Sequence, residues 1–425
     1  MWCVPSPEAA LLAEGPLPKF LRYVQVHTTS DPAGARVPTT PGQLDLSRML
    51  VAECRAMGLE EVVQDEWGIV TATLPPSPGC GGAPVVGLLA HVDTSPEVSG
   101  EGVRPLVHRQ YAGGPIALPA GPVVDPAEQP ELEAAIGHDI VTSDGSTLLG
   151  ADDKAGVAEI LAAAGRLLRD PDLRHGKVRL AFTTDEETGR GILHLDPERF
   201  GAEVAYTLDG GPLGEISWEN FEAENLRVVI SGRSAHPGTA RGRMINAIGL
   251  AAGLVAGIPA AWRPETTSGR EGFIHCLGLH GEVEAAEVTL IVRDFAEAGM
   301  QAKRAWLEAV ASQLRAAHPC CDVRIERTGG YRNMRRAVEQ RPQSYELALA
   351  AMRAVGVEPR PLPIRGGTDG ARLSERGLPT PNLFAGGINF HSRTEWISVA
   401  WMEKAVDVIV ALVQLWGREA GAAGS

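Results

Sequence analysis

Short apolar runs alternate with helical segments in both terminal parts of the chain. The runs Val85–Ala90, Val178–Phe182 and Val204–Leu208 are too short for stable helices, and their near-continuous apolarity is typical of strands buried on both faces. Apolar residues at helical spacing predict helices over Ala155–Leu168 and Met402–Trp416. Strands that alternate with helices favour an α/β sheet with helices on its faces.

The central part of the chain has a different order of elements. Its pattern predicts strand Ala223–Ser231, helix Met244–Ala256, strand Glu287–Asp294 and helix Ala302–His318. This order is sufficient for a compact domain, and chemically suggestive motifs lie on both sides of it. We therefore expect an insertion into a larger catalytic domain, with bounds of 1–220 and 331–425 for the catalytic domain and 221–330 for the insertion.

Composition and charge exclude several classes of protein. The 425 residues are 44% hydrophobic and 22% charged, as in ordinary soluble globular proteins. A net charge of −14 disfavours nucleic acid and anionic membranes as partners. No run of about 18 apolar residues predicts a transmembrane helix, and the N-terminus lacks the pattern of a signal peptide. The six cysteines include no C-x-x-C pair, which favours reduced thiols in a cytoplasmic protein.

Acids and histidines follow the predicted strands. His91 and Asp93 (AHVDT) end the first strand and point to the same face, so His91 can ligate a metal and Asp93 can orient its ring. Asp152 and Asp153 (GADDKAG) precede the first helix. They can cap the helix and complement its dipole, or Asp152 can be a carboxylate ligand that bridges two cations.

Further acids follow the second and third strands. The run 185–187 (TDEETG) is either a solvated loop or a metal site, in which one glutamate binds the cation and its neighbour takes a proton from metal-bound water. Asp209 precedes two glycines, and His391 lies far along the chain with Glu395 four residues later. Ligands collect at the carboxyl ends of strands in open α/β sheets. Two histidines with carboxylates suit zinc, cobalt or manganese, and a two-metal site is typical of metal-assisted hydrolysis.

The order and spacing of the motifs resemble the peptidase T family of tripeptide aminopeptidases, which belongs to the di-zinc exopeptidases together with carboxypeptidase G-like enzymes and aminoacylases. The motifs that carry the resemblance are AHVDT, GADDKAG, TDEETGRG, YTLDGG, SAHPGTARGRMINA, REGFIH, RDF, PIRGGTDGARLS and NLFAGGINFH. They cover most of the chain. The resemblance implies a two-domain α/β protein, with a mixed-sheet zinc exopeptidase catalytic domain and an inserted smaller α+β domain that acts as a lid.

The resemblance also implies roles for particular residues. One metal would be held by His91, Asp152 and Asp209, and the other by Asp152, Glu187 and His391. Asp152 would bridge the two metals beside a cis Asp152–Asp153 peptide. The remaining roles are as follows: Asp93 orients His91, Glu186 is the general base, His236 from the inserted domain stabilises the oxyanion, and Arg293, Asn333 and Arg365 read the substrate carboxylate. A structural salt bridge is an equally consistent role for either arginine.

The function that the resemblance implies is hydrolysis of the N-terminal peptide bond of tripeptides, by water activated between two zinc ions, in peptide catabolism. A homodimer through the inserted domain follows by the same analogy. A related dipeptidase, carboxypeptidase or N-acyl amino acid hydrolase is an alternative, because metal ligands do not distinguish these enzymes. A catalytically inactive metal-binding assembly protein is a further alternative. The presence of Glu186 counts against it, since a structural zinc site needs no unliganded base.

Overall fold

The computed structural model describes residues 7–419. Cys3 and the beginning of the segment used for the signal-peptide prediction lie outside the described residues. Within 7–419, no helix is both long and apolar enough to cross a membrane. The helices are Pro7–Ala13 (α1), Pro16–Tyr23 (α2), Pro41–Ala56 (α3), Glu131–Ala134 (α4), Ala151–Arg169 (α5), Pro197–Phe200 (α6), Ala247–Gly257 (α7), Glu297–Ala317 (α8), Arg335–Gln340 (α9), Gln343–Ala354 (α10), Asp369–Glu375 (α11) and Val399–Arg418 (α12).

The strands belong to several sheets. They are Glu60–Gln64 (β1), Val70–Leu74 (β2), Val86–His91 (β3), Leu106–His108 (β4), Ile116–Ala117 (β5), Val123–Val124 (β6), Ile140–Thr142 (β7), Val178–Thr183 (β8), Val204–Gly210 (β9), Glu215–Ser217 (β10), Glu222–Ser231 (β11), Phe273–Gly281 (β12), Ala285–Asp294 (β13), Val323–Tyr331 (β14), Arg360–Pro361 (β15), Asn382–Phe384 (β16), Gly387–Ile388 (β17) and Trp396–Ser398 (β18). Short 3₁₀ turns lie at Gly191–His194, Pro237–Thr239, Ala260–Trp262 and Pro264–Thr266.

The largest sheet confirms the predicted mixed α/β fold. Its strand order is β1-β2-β8-β3-β9-β16-β10-β15. The four central strands β8, β3, β9 and β16 are parallel, while β1, β2 and β10 add antiparallel pairings. All three predicted strands lie in this parallel centre, and β3 is buried along its whole length. Parallel pairing therefore brings the carboxyl ends of these strands to one edge of the sheet.

Helix α5 packs closely against this sheet. Fifteen of its residues are buried, including nearly every position of its central turns. Gly156 lies where α5 approaches β9, and a Cβ built there would lie only 2.3 Å from the carbonyl oxygen of Leu208. A side chain at position 156 would thus push the helix away from the strand. The close approach keeps the N-terminal end of α5, which carries Asp152, beside the end of β9, which carries Asp209.

The described chain divides into two compact units. Unit 1 runs up to Trp218 and continues through Arg336–Leu362 and from Thr368 onward, whereas unit 2 comprises Glu219–Arg335 and Pro363–Gly367. The large sheet lies in unit 1. Unit 2 contains a four-stranded antiparallel sheet of order β12-β13-β11-β14. Burial alternates along β13, and α7 and α8 pack on the buried face.

Two strands of unit 2 were absent from the sequence-based expectation. Strands β12 and β14 are the edges of the unit 2 sheet. Glycine and histidine interrupt the apolar pattern of β12, and charged residues interrupt that of β14. Edge strands tolerate such residues because solvent reaches one side of them. The apolar pattern alone was therefore too weak to predict them.

An isolated carboxyl group lies in the core of unit 1. Glu159 on α5 is 0% exposed, and neither of its carboxylate oxygens has a hydrogen-bond partner among the described residues. Burial raises the pKa of Glu159 well above its usual value of 4.5, and the charge of Glu403 adds to the rise. The folded protein therefore keeps a proton that the unfolded chain releases, so the free energy of unfolding falls as pH rises above the unfolded pKa.

We expect Glu159→Met to stabilise the protein, because it replaces an unpaired buried carboxyl with an apolar side chain of similar size. The free energy of unfolding should rise by about 1–3 kcal/mol near pH 8, and by less near pH 5. Urea denaturation at both pH values measures the gain. Glu346→Met, at an exposed position of α10, is the matched control. Equal gains at both pH values would contradict this account.

Candidate metal centre

Five of the residues singled out in the sequence come together at one edge of the large sheet. His91 is the last residue of β3, Glu187 follows β8 and Asp209 lies near the end of β9. Asp152 lies at the start of α5, and His391 follows β17. The position agrees with the rule that sites form at the carboxyl ends of parallel strands.

Asp152 lies at the centre of this group. Its Oδ1 is 2.8 Å from Nε2 of His91, and its Oδ2 is 3.1 Å from Nε2 of His391. Nε2 of His391 also lies 3.1 Å from Oε1 of Glu187, and Nε2 of His91 lies 3.7 Å from Oδ1 of Asp209. One carboxylate thus presents each of its oxygens to a different histidine, which is compatible with the predicted bridging role.

Two groups of side chains could each hold a metal ion. In His91, Asp152 and Asp209, and again in Asp152, Glu187 and His391, one donor atom per residue lies within 4.8 Å of the others. These are the two sets that the resemblance implies. Their proximity is a property of the fold, whereas metal ligation by them stays a prediction.

The electrostatics of the centre favour a cation. Burial raises the pKa of Glu187 to about 7. Burial, reinforced by the charge of Asp152, raises the pKa of Asp209 to about 7. Burial also opposes ionisation of Asp152, but hydrogen bonds from His391 and His91 hold its pKa below the usual range. Several carboxylates therefore share one site with two histidines as their cationic partners, and a divalent cation would stabilise their ionised forms.

The residues present fit such a cation. Oε1 of Glu187 is buried and accepts no well-aligned hydrogen bond from the described residues, although it lies 3.1 Å from Nε2 of His391, the nitrogen that also faces Asp152. The donor atoms are imidazole nitrogens and carboxylate oxygens, which suit zinc, cobalt and manganese. Cysteine is not among these donors.

Glu395 holds the segment that carries Asp152. Its buried carboxylate accepts hydrogen bonds from the backbone N–H groups of Leu149 (2.7 Å), Gly150 (2.9 Å), Ala151 (2.7 Å) and Asp152 (3.2 Å). Burial raises the pKa of Glu395 to about 7, although these N–H groups favour the ionised form. The peptide bond that follows Asp152 is cis, as the resemblance implies. Glu395 thus orders the backbone immediately before the carboxylate of Asp152.

A tight turn places Glu186 and Glu187 after β8. Asp185 has a left-handed φ of 52°, and its buried carboxylate accepts hydrogen bonds from Thr39 and from the side chain of Gln43. The backbone N–H groups of Glu186 and Glu187 donate to the carboxylate of a neighbouring aspartate, Asp93, at 3.0 and 3.2 Å. Adjacent side chains on an extended strand would point to opposite faces. The turn removes that restriction.

Asp93 also contacts the first histidine. Its carbonyl oxygen lies 3.1 Å from Nδ1 of His91, and its Oδ1 lies 3.4 Å from the same nitrogen. Asp93 is 0% exposed. One buried residue therefore contacts the His91 ring and holds the Glu186–Glu187 backbone.

The other four predicted site residues lie in unit 2. His236 is exposed, and its Nδ1 accepts a hydrogen bond from the N–H of Gly238 at 3.2 Å. Asn333 is engaged through both of its amide atoms, since Oδ1 accepts from the N–H of Asn220 and Nδ2 donates to the carbonyl of Phe295.

The two arginines of unit 2 differ in their partners. Arg365 donates to the carbonyls of Gly269 (2.7 Å) and Glu271 (3.0 Å) and to Thr267. Arg293 donates through Nη1 to the carbonyl of Arg365 at 3.1 Å, while its buried Nε has no hydrogen-bond partner among the described residues. Both Nη groups of Arg365 therefore already donate to neighbours within unit 2, whereas Nε of Arg293 has no acceptor among the described residues.

The structure adds residues that the sequence analysis did not assign to the site. Asp369, in the GGTDG motif, is buried and accepts a hydrogen bond from Oγ1 of Thr183 at 2.6 Å. Burial raises the pKa of Asp369 to about 7. The charges of Asp209 and Asp369 in turn add to the burial that raises the pKa of Glu186 well above its usual value. The motif was visible in the sequence, but its proximity to the end of β8 was not.

Comparison with known proteins gives matches along nearly the whole chain. The profile of peptidase family M20/M25/M40 matches residues 138–415. Peptidase T of Geobacillus thermodenitrificans is 48% identical over 400 residues, which are 94% of this chain and 97% of that protein.

Solved structures share the fold. Aminopeptidase PepT from Bacillus cereus matches with a TM-score of 0.73 at 24% identity, over 94% of this chain and 98% of that chain. A Bacillus subtilis protein described as a dinuclear metal-binding peptidase from the M20 family matches with a TM-score of 0.62 at 14% identity, over 97% and 99% of the two chains. At such identities the likeness concerns the fold alone.

We expect Glu395→Gln to disturb the segment that carries Asp152. The amide NH₂ would replace one of the two acceptor oxygens and face backbone donors, at a cost of about 1–3 kcal/mol in the free energy of unfolding. Urea denaturation of the metal-free protein measures the loss. Glu358→Gln, at an exposed loop position, should leave stability unchanged. If the two variants are equally stable, the four backbone contacts do not order this segment.

Proposed function

The chain belongs to peptidase family M20/M25/M40, and on this premise we propose that it is a metallo-aminopeptidase that removes the N-terminal residue of tripeptides. The observation that carries the proposal is that Asp152 belongs to both groups of side chains that could hold a metal ion. The full-length relative at 48% identity is named Peptidase T, which favours the tripeptidase branch over the rest of the family.

We propose that two divalent cations bind at the centre. His91, Asp152 and Asp209 would hold one, and Asp152, Glu187 and His391 the other. Zinc suits the mixed nitrogen and oxygen donors, with cobalt or manganese as alternatives. Cations held by these residues would polarise the scissile carbonyl and lower the pKa of the attacking water.

Glu186 is the proposed general base. Its backbone is held by Asp93, and it lies outside both groups of ligand atoms. Burial, together with the charges of Asp209 and Asp369, raises the pKa of its carboxyl group, which gives it a stronger affinity for a proton. Glu186 would accept the proton from the attacking water and deliver it to the amine of the leaving dipeptide.

His236 is proposed to stabilise the oxyanion. Because its Nδ1 accepts the N–H of Gly238, the neutral ring carries its proton on Nε2. Nε2 is then a hydrogen-bond donor on an exposed side chain. A donor of this kind is what a developing negative charge on the substrate carbonyl oxygen requires.

The substrate carboxylate is proposed to bind Arg293. Its buried Nε has no partner among the described residues, whereas the donors of Arg365 already contact backbone carbonyls and Thr267. Asn333 and Arg365 then act by shaping the surroundings of Arg293, since Nη1 of Arg293 donates to the carbonyl of Arg365. A cytoplasmic location and a homodimer through the inserted domain stay predictions.

A substrate panel tests the proposed function. We expect the zinc-loaded protein to release the N-terminal residue from tripeptides at least about tenfold faster, as kcat/KM, than it cleaves dipeptides or N-acyl amino acids, as the proposed tripeptidase activity requires. A C-terminal amide should raise KM, since it removes the charge that Arg293 binds. Product analysis by mass spectrometry measures each rate. Release of the C-terminal residue, or a preference for N-acylated substrates, would favour the carboxypeptidase or acyl hydrolase alternative.

The two adjacent glutamates should respond differently to the same substitution. Glu186→Gln keeps the shape of the side chain but cannot accept a proton, so kcat should fall about 10²–10⁴-fold with metal content unchanged. Glu187→Gln should lose metal as well as activity, because it removes a charged ligand. Metal analysis and tripeptide turnover distinguish the two. Parental turnover in Glu186→Gln, or metal loss in it, would show that base and ligand are wrongly assigned.

A further inference from the structure

Glu97 contacts the histidine of the second group on the side that faces away from the centre. Its Oε2 lies 3.0 Å from Nδ1 of His391, while Nε2 of His391 faces Asp152 and Glu187 at 3.1 Å. Glu97 lies in the loop that follows β3, and no sequence motif assigned it a role. The ring of His391 is thus held between carboxylates on both of its nitrogens.

The first histidine has a matching arrangement. Nδ1 of His91 lies 3.1 Å from the carbonyl oxygen and 3.4 Å from the carboxylate Oδ1 of Asp93, and Nε2 of His91 faces Asp152. Asp93 and Glu97 belong to the same short segment after β3. One loop therefore supplies the outer partner of both histidines.

We propose that Glu97 is a positioning residue that orients His391 for metal binding, as the counterpart of Asp93 at His91. This inference rests on the proposed metal centre. Accepting the Nδ1–H of His391 selects the tautomer with a free electron pair on Nε2 and makes that nitrogen a stronger ligand. The segment after β3 then controls both metal positions.

His391 needs such a partner more than His91 does. The His91 side chain is only 2% exposed, so surrounding atoms restrict its ring, whereas the His391 side chain is 33% exposed. The backbone of His391 also has a left-handed φ of 59°, in a turn where Asn389 has a φ of 58°. Asn389 ties this turn through its side chain to Ser392 and Thr394, but these contacts do not restrain the imidazole.

The contact should affect one metal position and leave the other unchanged. Glu97 is 67% exposed, so as an ion pair it contributes little to folding. Its effect is expected in ligand orientation, where loss of an outer partner typically lowers metal affinity about 10–100-fold. The position held by His91, Asp152 and Asp209 does not include His391.

Titration of the metal-free protein with cobalt(II), followed by the visible absorption of the bound ion, tests the inference. We expect Glu97→Ala to raise the dissociation constant of one of two binding steps about 10–100-fold and to leave the other within about twofold. His391→Ala, which should abolish the same step, identifies it. Glu97→Gln should give an intermediate value, because the amide oxygen still accepts the Nδ1–H but carries no charge.

Glu101→Gln is the matched control. Glu101 is an exposed glutamate in the same loop, and its backbone N–H contacts Ser99. Its variant should bind both ions like the parent. Parental affinities in Glu97→Ala, equal weakening of both steps, or the same loss in Glu101→Gln would overturn the inference. A parent protein that binds no cobalt would instead contradict the proposed metal centre itself.

Discussion

Repulsion among carboxylates at one edge of the large sheet is the constraint on which the rest of the structure depends. Parallel pairing of β8, β3, β9 and β16 brings the strand ends together, and acids stand at most of these ends. Largely buried carboxylates such as Glu187 and Asp209 resist ionisation there. The fold therefore concentrates negative charge at this edge, and the ionised carboxylates need nearby positive charge. We propose that two histidines and two divalent cations supply it.

Other buried acids around the centre hold backbone segments in place. Asp93, Asp185 and Glu395 are buried, and each accepts hydrogen bonds from backbone N–H groups. Backbone donors stabilise these carboxylates without a metal. Acids that accept backbone N–H groups thus order the loops, whereas Asp152, Glu187 and Asp209 belong to the two groups of side chains that could hold a metal.

Much of the fold and of the centre could be predicted because it depends on patterns within short segments of the sequence. Buried parallel strands are continuously apolar, so β3, β8 and β9 stood out, and the residues just beyond them had to lie at one edge. The remainder depends on pairings between distant positions. Glu395 and Leu149 are separated by 246 residues, and His391 and Glu97 by 294. Charge and spacing along the chain do not predict contacts between such distant residues. The edge strands β12 and β14 could not be predicted because glycine or charged residues interrupt their apolar pattern.

The dependence of Asp152 on Glu395 also has a consequence for biosynthesis. A ribosome synthesises His91, Asp152, Glu187 and Asp209 first, and it adds His391 only 182 residues after Asp209, with Glu395 four residues later. Until then the segment before α5 lacks the carboxylate that accepts its backbone N–H groups. A growing polypeptide therefore carries most of the candidate ligand residues before it carries the residue that orders the segment of Asp152, and the centre cannot be completed before positions 391–395 have been synthesised.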